Sequence, residues 1–336
     1  MRMCVFFCTF AENFNCTMAF SRTYYRVAEH LFAVECSDGA LLACMTNYLP
    51  FREPTPNPSL KGRELGEGIF TLSVEMKEAK GERQIGEEWT HVLTDNAEED
   101  MPRIEVYHSS QSYTTLNNPI PHTWLFRVAM VANAPICCEM ECSENFTEGV
   151  LYIMPDCQDV RFCIDNALML LYAFRTAPLM TLEMHAAVVV RGEGRGYLFL
   201  GHSGTGKSTH ARQWLAAFDD AWLLNDDNPI LRVMEDGEVR VYGSPWSGKT
   251  PCYKNAYARA GGIIKLSQAP HNKMRILSLP EAYAYMLSSA SGLKMDRQMA
   301  DCMYESIKHV ITHVKCYHLD CLPNTEAAVV AQRGMA

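Results

Sequence analysis

Between an apolar run, Tyr197 to Leu200, and a stretch of helical periodicity, Thr209 to Phe218, the chain reads Gly201-His202-Ser203-Gly204-Thr205-Gly206-Lys207-Ser208. These residues fit the pattern Gly-x-x-x-x-Gly-Lys-Ser/Thr, and strand, loop and helix are the context in which that pattern acquires meaning. Glycines let successive backbone N–H groups turn toward one point, and the N-terminus of the following helix adds its positive dipole there. The spacing predicts a loop that wraps phosphate oxygens, with Lys207 reaching the terminal phosphates and the Ser208 hydroxyl on Mg²⁺. Thr209 opens a helix that carries Ala211, Trp214 and Leu215 on one side. The ligand implied is a nucleoside triphosphate, ATP with Mg²⁺, bound by an α/β unit.

Mg²⁺ prefers oxygen ligands and keeps waters, so one hydroxyl needs a carboxylate from a neighbouring strand. The short apolar run Ala221 to Leu224 leads into Asn225-Asp226-Asp227, at the C-terminal strand edge where ligands collect in α/β sheets. Adjacent residues of an extended chain point to opposite sides, so one Asp serves the metal and the other acts as general base. The reading adopted puts Ser208 and Asp227 on the metal and makes Asp226 the base, an order the sequence leaves open. His185 precedes another apolar run, Ala186 to Val190, joined to Tyr197 to Leu200 by the Gly-rich turn Arg191 to Gly196. That places its imidazole near the terminal phosphate, although a lone His at a strand start also serves as a structural residue.

Further on, Ile230 to Val233 and Val239 to Tyr242 form an expected hairpin turning at Asp236-Gly237. The stretch Gly243-Ser244-Pro245-Trp246-Ser247-Gly248-Lys249-Thr250 satisfies the loop pattern a second time. Pro245 has no N–H to donate, and Pro251 opposes a following helix. This second match is expected to be a loop presenting Trp246 and Lys249 to the substrate or phosphate. His309, His313, Cys316 and His318 suit a helix leading into a strand as well as they suit a metal site.

The chain has 336 residues, 48% of them hydrophobic, enough to fill real cores. Its net charge of -9 works against sequence-independent binding to nucleic acid or to an anionic membrane. Fourteen cysteines fall at irregular positions with no Cys-x-x-Cys pair, which argues against a disulfide scaffold or a zinc ribbon and reads as reduced thiols in the cytoplasm. The run Met1 to Ala11 faintly resembles a secretory signal, but Glu12 stands where a small-residue cleavage site belongs, and a buried first strand has the same composition. Arg175, Glu183 and Arg191 interrupt the best candidate for a membrane span.

Residues 1–155 are expected to form a β-rich domain of short strands such as Leu31 to Val34 and Phe70 to Val74. Within it, Pro50 to Gly68 carries four prolines and three glycines and reads as a long loop, and Glu98, Glu99 and Asp100 read as a solvated face. Residues 156–336 are expected to form the nucleotide-binding domain. It opens with a helix from about Val160, on which Ile164, Ala167, Leu168, Leu171 and Phe174 recur, and Pro178 ends that helix.

A His sixteen positions before the loop, the sequence GHSGTGKST and a double Asp closing the next strand together resemble the HPr kinase/phosphorylase and phosphoenolpyruvate carboxykinase superfamily. More narrowly, residues 160–325 look like its stand-alone HPr-kinase-like ATP-binding members. The resemblance implies a mixed-sheet kinase core, with Lys207 and Ser208 on phosphate and metal and with Asp226 and Asp227 as base and metal ligand. It makes His185 a metal ligand if the chain works like the carboxykinases, or a proton-handling residue if it works like the kinases. Asn228-Pro229-Ile230 replaces the Arg-, Gly- and Ile-rich stretch with which HPr kinases contact their protein substrate. The expectation is therefore an ATP- and Mg²⁺-dependent kinase acting on a hydroxyl of a protein, peptide or small molecule other than HPr, with oligomerisation open. The alternatives are a carboxykinase-like enzyme acting on oxaloacetate and a non-catalytic ATP-gated binding protein.

Overall fold

The computed structural model describes residues 21–36, 38–54, 68–77, 84–95, 102–115, 118–248 and 250–335, side chains excepted at 40 and 111–122. The run Met1 to Ala11, most of the Pro50 to Gly68 stretch, the cluster Glu98 to Asp100 and Lys249 lie outside the described residues. The first half is β-rich: β1 (Ser21–Val27), β2 (His30–Cys36), β3 (Arg52–Glu53), β4 (Thr71–Met76), β5 (Thr90–Asp95), β6 (Arg103–Thr115), β7 (Asn118–Ala129), β8 (Ile136–Cys142) and β9 (Glu148–Ile153), with the short helix α1 (Gly39–Ala43) after β2. They form one sheet in the order β3-β1-β2-β4-β9-β8-β7-β6-β5. It is mixed, because β4 runs parallel to both β2 and β9 while the remaining pairs are antiparallel. The β1–β2 turn is made by Ala28 and Glu29, both left-handed at φ 45° and 68°, the geometry whose twist matches a two-residue hairpin.

The second half begins with α2 (Val160–Thr176), whose first turn is capped by Asp159 accepting from the Phe162 N–H at 2.9 Å. There follow β10 (Thr181–Glu183), β11 (Ala186–Arg191), β12 (Arg195–Leu200), α3 (Lys207–Ala217), β13 (Trp222–Asp227), β14 (Ile230–Val233), β15 (Val239–Tyr242), β16 (Tyr257–Gln268), β17 (Lys273–Ile276), α4 (Leu279–Ser289), α5 (Arg297–His313), β18 (Cys316–Cys321) and α6 (Thr325–Met335). Their sheet runs β10-β14-β15-β16-β12-β11-β13, with β18 paired to both β16 and β17. It too is mixed: β12 is parallel to β16 and antiparallel to β11. The chain is thus a mixed α/β protein of two large mixed sheets.

Alternation along β11 and β12 divides the interior. Ala187, Val189, Tyr197 and Phe199 pack with Ala211 and Trp214 of α3 and with Ala328 and Ala331 of α6. Ala186, Val188, Val190, Leu198 and Leu200 face the other way, into a core that contains α2 and the inner face of the first sheet. Strands covered on both faces need continuous apolar runs, which is why β11 is buried at five successive positions. That larger core passes without a break from Tyr25 and Phe32 through Tyr172 and Trp246 to Met303. The β1–β2 turn is fastened to the second sheet: Glu29 accepts from the Tyr242 hydroxyl at 2.6 Å and lies 3.3 Å from Arg232, which also donates to the Ala28 carbonyl at 2.6 Å. No helix among the described residues is long and apolar enough to cross a membrane.

Candidate functional site

The Gly201 to Ser208 stretch is the connection from β12 to α3. Gly204 and Gly206 hold φ 74° and 104°, values open to glycine and strained for other residues. A side chain on Gly201 would meet Thr205 at 2.9 Å. His202, Ser203 and Gly204 are exposed, so the crest of the loop is open. Gly206 caps α3, and the first N–H groups of that helix have no intrahelical partner. An anion at the crest would meet these donors and the positive end of the helix dipole.

Lys207 folds back beneath the loop. It is 8% exposed, and its ammonium donates to the Gly201 carbonyl at 3.0 Å and lies 2.9 Å from His185 Nε2. The same ring nitrogen is 3.2 Å from Asp227 Oδ1. A single imidazole nitrogen cannot accept from an ammonium and donate to a carboxylate at once, so the proton on Nε2 decides which neighbour His185 serves. The loop, the residue before β11 and the end of β13 thereby meet at one point, through His185, Lys207 and Asp227.

The two aspartates differ in a way that simple alternation does not give. A bulge between Val188 and Val189 leaves Leu224 unpaired, after which Asp226 pairs with Ala187 and Asp227 with Ala186. Cross-strand partners share a face, so Asp226 lies on the α3 side of the sheet. It is 3% exposed, and its Oδ2 has no hydrogen-bond partner among the described residues. Asp227 has φ 151°, a value L residues rarely adopt. Its side chain is 38% exposed and turned to His185.

The second glycine loop braces this strand end and forms no phosphate cradle. No helix follows it, Gly248 N donates to the Asp226 carbonyl at 2.6 Å, and Ser247 bridges to Asp227. Trp246, expected to face the substrate, is 2% exposed. Its indole N–H donates to the Tyr48 hydroxyl at 2.7 Å, and its ring packs edge-on to Tyr172. The reason is packing: a large aromatic side chain at the junction of the two sheets buries more apolar surface there than beside an open loop. Leu215 is likewise exposed on α3, whereas Ala211 and Trp214 are buried. His309 and His313 stack on α5, with His309 3.1 Å from the Gly237 carbonyl, and Cys316 and His318 lie on β18. These four are the helix leading into a strand.

Three features are absent from the sequence reading. A shallow open depression lies between the loop crest and Lys265 to Gln268 at the end of β16. A second, half-open hollow adjoins it against Cys321, Leu322 and Pro323. Gln268 fastens the wall to the loop by donating to the Gly204 carbonyl at 3.1 Å. Third, Glu183 on β10 is buried with both carboxylate oxygens unpartnered among the described residues. Burial, and then the charge of Asp227, hold its carboxyl well above the usual carboxylate range. The signal was a single acid among apolar neighbours, Leu182 and Met184. No protein-family model matches the chain, and comparison with curated proteins finds no match.

Proposed function

We propose that the chain is an ATP- and Mg²⁺-dependent phosphotransferase acting on a hydroxyl of a protein, peptide or small molecule. The observation that carries this reading is the run of contacts from Lys207 through His185 to Asp227, which joins a phosphate-type loop to an accessible carboxylate. The loop N–H groups and Lys207 hold the β and γ phosphates, and the rest of the nucleotide lies over the open depressions beside Gln268.

The donors present suit Mg²⁺: a hydroxyl on Ser208 and the unpartnered buried Oδ2 of Asp226 are hard oxygens. When bound, the ion neutralises charge on the transferring phosphate. Exposure favours the reverse of the order adopted from the sequence, with Asp226 and Ser208 on the metal and Asp227 as base. Asp227 takes the proton of the acceptor hydroxyl as its oxygen bonds to the γ phosphorus, while the bond to the bridging oxygen breaks and ADP leaves. With its proton on Nε2, His185 orients the Asp227 carboxylate, and that nitrogen then accepts nothing from Lys207.

The test is incubation with γ-labelled ATP and Mg²⁺ in the presence of hydroxyl acceptors, with oxaloacetate in a parallel arm. Label reaching a hydroxyl in the wild type, and reduced about 10²- to 10⁴-fold in Asp227→Asn while nucleotide binding persists, is the expected result. ATP consumption that depends on oxaloacetate, or tight binding with transfer to none of the acceptors, would count against a kinase.

A further inference from the structure

Four cysteines meet far from the phosphate loop, where β8, the β9–α2 connection and the first turn of α2 come together. Cys137 and Cys138 are neighbours in β8, and in regular strand their side chains would point to opposite faces. They do not, because the β7–β8 ladder carries a bulge: Val128 pairs with Cys138 and Ala129 with Ile136, so Cys137 is the extra residue. Its thiol turns back to the Val128 carbonyl at 3.1 Å and lies beside that of Cys138. The sulfurs of Cys137, Cys138 and Cys163 all lie within 4.8 Å of one another, and all three residues are buried.

Cys157 supplies a fourth sulfur, 3.4 Å from that of Cys163. The turn in which Cys157 N donates to the Met154 carbonyl, next to Met154 N donating to the Cys137 carbonyl, brings it back over the cluster.

We propose that Cys137, Cys138, Cys157 and Cys163 form a tetrahedral thiolate site for Zn²⁺. A Zn–S distance of about 2.3 Å gives S···S edges of about 3.8 Å; Cys137, Cys138 and Cys163 already lie within 4.8 Å of one another, and Cys157, 3.4 Å from Cys163, turns in toward the other two to complete the set. On binding, each thiol releases its proton to solvent and each sulfur donates an electron pair to the ion, with no oxidant required. Thiolates select soft or borderline ions, and four sulfurs with no open position make a structural site. Its effect is to tie the first sheet to α2, the helix packed between the two halves.

The test is to reduce the full chain, load it with Zn²⁺, desalt it, and count zinc per chain while reading the zinc environment by X-ray absorption. One ion per chain in an all-sulfur shell, lost in the double variant Cys157→Ser/Cys163→Ser and kept in Cys252→Ser, is the expected result. Because X-ray absorption is read on the unaltered chain, a variant that fails to fold does not spoil it. Zinc held by nitrogen or oxygen ligands, no retained zinc, or a Cys157–Cys163 disulfide in the protein as isolated would each overturn the proposal.

Discussion

His30 shows what one residue at the junction of the halves does to stability. It is buried on β2 against the Thr181 hydroxyl at 2.9 Å. Burial, with the charges of Arg232 and Arg26, lowers its pKa to about 3. A depressed histidine contributes stability that is complete above its unfolded value of about 6.5 and is lost as pH falls toward 3, at about 1.4 kcal/mol per pH unit. His210, lowered by burial to about 4, adds to the same window. Melting temperatures of wild type and His30→Gln at pH 7.5 and 5 check this: the variant should lose less on acidification, and equal losses would show that His30 is not buried as described. At this scale the turn of the Gly201 to Ser208 loop between β12 and α3 was legible, because its glycines are dictated by backbone chemistry. The exposure of Asp226 and Asp227 was not, since the extra residue Leu224, earlier in their own strand, sets their faces. Trp246 was misplaced because a chance match to the loop pattern masked an ordinary core aromatic.

Among elements, the Gly243 to Thr250 loop is the one that fixes β13. An alanine at Gly248 would put its Cβ 3.1 Å from the Asp226 carbonyl oxygen and 3.2 Å from Asp227 Cβ. Backbone cannot give way there cheaply, so Gly248→Ala should cost about 1–3 kcal/mol and move Asp227 away from His185. Phosphate transfer should fall tenfold or more, with nucleotide affinity little changed. An unaltered transfer rate in a folded variant would mean that this loop does not position Asp227. Helix α2, the strands beside the Gly201 to Ser208 loop, the 230–242 hairpin and the α5–β18 pair were all readable from periodicity and turn residues. The β1–β2 turn was not: Ala28 and Glu29 adopt left-handed angles without glycine or asparagine, held there by contacts with Arg232 and Tyr242 that come from the other sheet. The four-cysteine cluster was equally hidden, because a bulge and a tertiary turn assemble it and no sequence spacing does.

For the whole molecule, one apolar core links both sheets through Tyr48, Tyr172 and Trp246. Fixed contacts such as Asn47 donating to the Pro245 carbonyl at 3.0 Å, and Tyr172 to the Val27 carbonyl at 3.0 Å, tie the halves. The chain should therefore unfold in one calorimetric transition, and two well-separated transitions would contradict a shared core. Sequence patterning reached the character of each half, but not the docking between them, which depends on side chains hundreds of residues apart meeting in register. The proposed phosphotransfer depends above all on the Gly201 to Ser208 loop binding a nucleoside triphosphate through Lys207. Isothermal titration of the full chain with ATP and Mg²⁺, wild type beside Lys207→Ala, measures it directly. Saturable binding in the wild type, weakened at least a hundredfold in a variant of unchanged circular dichroism, is the predicted result. Absence of binding in the wild type, or equal affinity in the two proteins, would contradict it.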